Sequence, residues 1–130
     1  MALISSAILN DALTNVAKIL VDDTPDFDHY GGMGAGENST AAAATQHDLL
    51  GSDTHYNDVS GAYEASYKGT WTSIFLYADF TSHVIEELVI CQAAASHVNL
   101  CLLRIVIDAI TLSSGEQVTF VVKCAVQQGS

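Results

Sequence analysis

The sequence predicts a mainly β protein, an antiparallel β-sandwich or jelly-roll-like domain preceded by an N-terminal amphipathic helix. Three observations carry that expectation. Between Trp71 and Val126 the chain offers four consecutive stretches dense in branched and aromatic residues, the types that suit a pleated, half-buried surface. The third stretch, Asn99 to Ile107, is apolar on both faces apart from Arg104, as expected of a strand lying centrally or between two layers. Ahead of residue 22, by contrast, apolar residues recur at helical intervals. One domain spanning 1–130 is expected from the length, with a helical segment at 1–21, glycine-rich and polar loops at 22–61 and a β-sheet core at 62–130.

Taken in order, residues 6–20 place Ala7, Ile8, Ala12, Val16, Ile19 and Leu20 on one helical stripe, widened by Leu9 and Leu13, with Ser5 or Ser6 as the N-cap. Such a helix is expected to cover one side of a sheet. The acidic run from Asp22 to His29 contains the single proline, Pro25, and reads as a solvated loop. Its four aspartates lack the alternating ligand spacing and sixth-position glycine of a calcium loop. The stretch from Tyr30 to Gly36 holds four glycines but lacks the Lys-Ser/Thr pair of a phosphate loop, so it reads as tight strand-end backbone. Residues 37–61 are small and polar. They read as a long excursion lying along a neighbouring subunit, or carrying a short helix near 41–49. Residues 62–68 alternate as a strand, with Gly69 as a bend into the strand 71–80. Further strands follow at 83–91 and 99–107. After a turn at 112–115 comes 117–126, with Val118, Phe120, Val122, Cys124 and Val126 on one face and Thr119 and Lys123 on the other.

Composition narrows the function. Four basic residues stand against 15 acidic ones, a net charge of −11, which makes nucleic acid and anionic membranes poor partners. No apolar run is long enough to span a bilayer, because Glu86, Glu87, Arg104 and Asp108 interrupt the most hydrophobic half. Charged residues amount to only 15% of the chain, a thin charged shell that points to surface covered by other subunits.

Residues suited to chemistry are sparse. Cys91, Cys101 and Cys124 are odd in number and have no ligand neighbours, so they read as buried free thiols and no metal or cofactor is expected. His29, His47, His55, His83 and His97 are scattered without a nucleophile at motif spacing, and no catalytic residue is assigned. Glu86 and Glu87 cannot form an acid/base dyad, since successive strand residues face opposite ways. Arg104, isolated in the most apolar strand, requires a partner if buried, and Glu87, with Glu86 as the other candidate, is expected to provide a structural pair.

The order of short motifs resembles the small virion structural proteins of tailed bacteriophages. The matching elements are Leu9-Asn-Asp-Ala-Leu13, Tyr30-Gly-Gly-Met-Gly-Ala-Gly36, Asp48-Leu-Leu, an aromatic strand, Ile85-Glu-Glu-Leu, Leu102-Leu-Arg104 and Ser114-Gly-Glu-Gln-Val-Thr-Phe120. In that family the glycine stretch reads closer to Gly-x-Gly-Thr and a glycine follows the Ile-x-Glu element, whereas Ala35 and Val89 break those patterns here. The resemblance implies a non-enzymatic β-sandwich subunit on a capsid, neck or tail. The expected function is therefore a capsid decoration or cement protein that bridges capsid subunits. It would be made in the host cytoplasm, self-associate as a homotrimer and contact the major capsid protein or other virion proteins. A tail, collar or fibre-anchoring subunit is the alternative. A carbohydrate-binding host-attachment module is a second one, which would require Trp71 with Tyr63, Tyr67 or Tyr77 to form an exposed platform.

Overall fold

The computed structural model describes residues 2–21 and 29–126. Within them the chain is mainly β, with antiparallel sheets and one short N-terminal helix. The elements are β1 (Leu3–Ile8), α1 (Asn10–Leu20), β2 (Gly32–Gly36), β3 (His55–Asp58), β4 (Ala62–Glu64), β5 (Lys68–Leu76), β6 (Val84–Ala93), β7 (Ser96–Thr111) and β8 (Gln117–Ala125), with a 3-10 turn at Tyr77–Asp79 between β5 and β6. Five strands form one sheet in the order β1-β7-β6-β2-β3, and three form another in the order β4-β5-β8. Among the described residues no helix is long and apolar enough to cross a membrane.

The two sheets share a core. Met33, Ile85, Leu88, Ile90, Leu103 and Ile107 of the larger sheet cluster with Trp71, Phe75, Phe120 and Val122 of the smaller one. Phe75 sits 6.0 Å from both Phe80 and Phe120 between ring centroids. Each such side chain contributes about 1.5–3 kcal/mol on burial. The alternation read for β8 matches its faces, with Phe120 and Val122 buried and Thr119 and Lys123 exposed. The other face of the larger sheet carries a second cluster, Leu9, Val89, Cys91 and Cys101, roofed by Leu49 and Tyr56, while α1 packs against β7.

Several elements differ from the sequence reading, each for a local reason. Residues 6–8 are not helical. They belong to β1, which pairs with β7 from Leu3↔Ile107 to Ile8↔Leu103, and this backbone pairing outweighs a weak helical periodicity. The N-cap is Leu9, which makes no side-chain cap bond. The Asn10 N–H donates to Ala44 O at 2.8 Å instead, and Ser5 Oγ accepts from Ala42 N at 3.0 Å. No helix forms near 41–49, because side chains take backbone groups that a helix would use: Gln46 Nε2 donates to Ala41 O at 2.9 Å and Gln46 Oε1 accepts from Ala43 N at 3.0 Å. The excursion 37–61 instead contains β3. Gly69 is not a bend but an interior residue of β5 opposite Tyr63; the chain reverses at residues 65–67, where Ser66 and Tyr67 have φ 69° and 64°. The aromatic strand stops at Leu76, whose N–H donates to Asp79 Oδ2 at 2.8 Å. β7 runs well past 99–107 in both directions. The calcium and loop readings of 22–28 fall outside the described residues.

The glycine-rich stretch is the most informative correction. It forms β2, a strand hydrogen-bonded on both sides by β3 and β6. Met33 and Ala35 enter the shared core, while the alternate positions Gly32, Gly34 and Gly36 face the opposite way. A Cβ at Gly34 would lie 2.5 Å from the Tyr56 ring, and one at Gly36 would lie 2.7 Å from Glu87 Oε2. Close approach of neighbouring side chains, not backbone conformation, demands glycine at these sites.

Candidate functional site

On the outer face of the larger sheet two polar clusters fasten the 37–53 excursion. The first is built on Glu87 of β6 and Arg104 of β7, both fully buried. Arg104 Nε donates to Glu87 Oε1 at 3.1 Å. Its Nη1 donates to Thr40 O at 2.7 Å and Gln46 Oε1 at 3.2 Å, and its Nη2 to Asn38 O at 3.2 Å. The Glu87 carboxylate in turn accepts from Leu50 N and Gly51 N, each at 2.8 Å. A charge pair that costs several kcal/mol per ion to dehydrate is thus offset by hydrogen bonds to an otherwise irregular loop. The pair is a clamp: each end holds a different stretch of the excursion against the sheet.

Asp48 organises the second cluster. Its Oδ1 accepts from Tyr56 Oη at 2.8 Å, and its Oδ2 lies 2.6 Å from His97 Nδ1. The Tyr56 and His97 rings stack with centroids 3.7 Å apart and planes 11° from parallel. Beneath them Cys101 Sγ donates to His97 O at 3.2 Å and lies 3.6 Å from Asp48 Oδ1, and Cys91 stands directly opposite Cys101 across the β6–β7 ladder. The Cys91 thiol, burial and the Asp48 charge push the Cys101 thiol far up. Burial and the bond to Asp48 do the same for the Tyr56 phenol. Both groups therefore stay protonated as donors, and a cysteine held as the thiol is a poor nucleophile. The cluster has the composition of a Cys/His/Asp constellation, and its bonds tie Asp48 of the excursion to β3 and β7. Replacing Asp48 with alanine strands the Tyr56 hydroxyl and the His97 Nδ1, and is expected to cost about 1–3 kcal/mol in urea unfolding.

The remaining histidines lie outside these two clusters. His47 Nδ1 pairs with Asp11 Oδ2 at 2.7 Å. His55 lies 3.6 Å from Asp79, and His83 stacks on Tyr77 with Nδ1 2.8 Å from Tyr77 O. His29 and Tyr30 line a groove beside Trp71. Among the described residues no three His, Cys, Asp or Glu side chains converge in a way that would hold a metal ion. Asp53 ties the excursion to the β5–β6 connection by accepting from Thr81 N at 3.1 Å and Ser82 N at 2.6 Å. Slight burial works against it, but bonds from the Ser82 side chain and these two N–H groups hold its carboxyl below the usual aspartate value. A depressed folded-state value adds stability above the unfolded value that is lost as pH falls through the folded one. The acid limb of the stability curve is accordingly expected to flatten in Asp53→Asn, as read by thermal melts across that range.

The exposed surface is uneven. Of the four sheet edges, β3 and β4 are short and each ends in an acidic residue, and β8 carries Lys123, which pairs with Glu64 at 3.0 Å. Among the described edges β1 lacks charge and proline: residues 2–9 contain neither, Leu3, Ile4 and Ile8 are exposed, and its one irregularity is a register shift between Leu3 and Ser5. Beside it lies a slot of about 350 Å³ lined by Leu3, Ile8, Leu103, Ile105 and Cys124, with Ser6 and Lys123 as its polar members. Along α1, Leu13, Val16, Leu20 and the following Val21 are also uncovered. A second apolar area occupies the outer face of the smaller sheet, where Ile74, Leu76 and Val121 are exposed. Of the aromatic residues named for a platform, Trp71 is buried, whereas Tyr63 and Tyr67 are exposed. No protein-family model, no curated protein and no solved structure matches the chain.

Proposed function

We propose that the protein is a non-enzymatic structural subunit of a virion, a decoration or cement protein that self-associates and bridges neighbouring capsid subunits. In this reading the two sheets and their shared core are a β-sandwich. The observation that carries it is the uncharged β1 edge. Edge strands in monomers are blunted by charge, proline, bulges or brevity because a bare edge pairs with another chain, and β1 has neither charge nor proline, only its single register shift at Leu3–Ser5. A chain of net charge −11 meets copies of itself most readily where its surface lacks acid, and residues 2–9 are such a place. Edge-to-edge pairing of β1 would give only a two-fold pair, so three copies gather instead through the exposed side chains Leu3, Ile4 and Ile8 and the open side of α1, turned toward a common axis. The face bearing Ile74, Leu76 and Val121 then meets the capsid. The clamped 37–53 excursion keeps the opposite side of the larger sheet rigid, which is what a cement subunit requires of a surface under mechanical load.

The test is co-pelleting with capsid shells that lack the protein. Wild-type protein is expected to pellet with shells, and Val121→Lys is expected to lose pelleting while keeping its oligomeric mass. A protein that ignores shells yet assembles with tail or collar components would overturn the decoration reading in favour of a tail or fibre-anchoring subunit.

A further inference from the structure

A groove of about 540 Å³ opens beside the β4–β5 turn. Trp71 forms its floor, 8% exposed, with its indole N–H spent on Tyr30 O at 2.9 Å. Two glycines fix the ring: a Cβ at Gly61 would lie 2.8 Å from Nε1, and one at Gly69 would lie 3.0 Å from Cη2, so backbone packs directly on the indole. Two tyrosines form the rim, Tyr63 opposite Gly69 and Tyr67 in the turn. They are 77% and 73% exposed. Tyr67 adopts φ 64°, a left-handed backbone that a three-residue turn normally reserves for glycine. A tyrosine held there carries strain that glycine would relieve, and such outliers point toward function.

The described lining of the groove differs in charge from the chain as a whole. Although the chain holds 15 acidic residues, none of the described residues lining the groove is acidic, and Lys68 supplies a cation. Arg104 and Lys123 are already paired with carboxylates elsewhere, while Lys68 stands opposite Glu64 across the β4–β5 ladder and its charge acts on that carboxylate. Exposed phenol faces above a fixed indole suit a ligand with a flat C–H face, and the shallow, wet setting suits one whose other side remains hydroxylated. An ammonium among described lining residues that carry no acid adds the demand for an anion. A pyranose ring carrying a carboxylate meets all three conditions.

We propose that this groove binds acidic saccharides, with a uronate ring resting on Tyr63 and Tyr67 and its carboxylate on Lys68. The assignment depends on the groove alone, so its failure would leave the virion reading standing. Trp71 is the single tryptophan, so its fluorescence and its indole N–H resonance report on this groove. Titration with trigalacturonic acid is expected to shift both signals saturably, and the fully methyl-esterified trisaccharide is expected to bind about tenfold more weakly, as is the acid form to Lys68→Met. Tyr67→Gly separates function from folding: it is expected to weaken binding while leaving the melting temperature unchanged or raised, because glycine relieves the left-handed strain. No saturable response to the acid form, equal binding of acid and ester, or undiminished binding by Tyr67→Gly would each overturn the proposal.

Discussion

Replacing Arg104 with methionine is expected to lower the unfolding free energy by about 3–5 kcal/mol, the largest effect of any single change outside the shared core. The loss has two sources. Glu87 would remain fully buried without its counter-charge, and the carbonyls of Asn38 and Thr40 would lose their donors. Urea denaturation measures the loss. Protease sensitivity between residues 38 and 51 should rise with it, because the excursion is held from both ends of the pair. Glu87→Leu combined with Arg104→Met should cost less than the two single changes added together, since the pair is coupled and an apolar pair leaves no stranded charge. Additive losses would mean that the two side chains act independently and that the clamp is not a unit.

Gly34→Val carries the second large expectation. A Cβ at this position would lie 2.5 Å from the Tyr56 ring and 3.1 Å from a Val89 methyl. Neither neighbour yields cheaply: Tyr56 is stacked on His97 and bonded to Asp48, and Val89 is fully buried. Overpacking of this kind costs about 1–3 kcal/mol, and displacement of Tyr56 adds its lost hydrogen bond, about 1 kcal/mol more. The second part is separable. In Tyr56→Phe the bond is lost but the ring stays, so its cost should be the smaller share. If Gly34→Val proves neutral in thermal melts, alternate glycines in β2 are not there to admit the overlying side chains.

What was legible in the sequence follows from how far each signal travels along the chain. Strands β5 to β8 announce themselves because they are locally dense in apolar and aromatic residues, alternating in β8 and continuous in β7, and most of the shared core comes from them. The pairing of Arg104 with Glu87 is legible for a different reason: an isolated charge in an apolar strand requires a partner, and few candidates lie on the preceding strand. The rest of the clamp is not, because Asn38 O and Thr40 O are backbone acceptors that leave no side-chain signature. The Asp48 cluster joins residues as far apart as 48 and 97, a separation at which no motif exists to find. β1 misleads because Ser5-Ser6-Ala7-Ile8 has little preference of its own; its state is decided by the β7 edge it meets. The glycine stretch holds a signal that is easy to misread. Glycine at every second position, with Met33 and Ala35 between, has the period of a strand with one face kept bare.

Assembly through β1 is the claim on which the functional account turns, and light-scattering mass in solution addresses it most directly. Wild-type protein at tens of micromolar is expected to run at about three times the 13.8 kDa chain mass. Ile4→Lys places a charge on the bare edge, in the manner by which natural edge strands resist pairing, and should return the protein to the chain mass with its circular dichroism unchanged. A wild-type protein already at 13.8 kDa, or an Ile4→Lys variant that keeps the full oligomeric mass, would contradict the account.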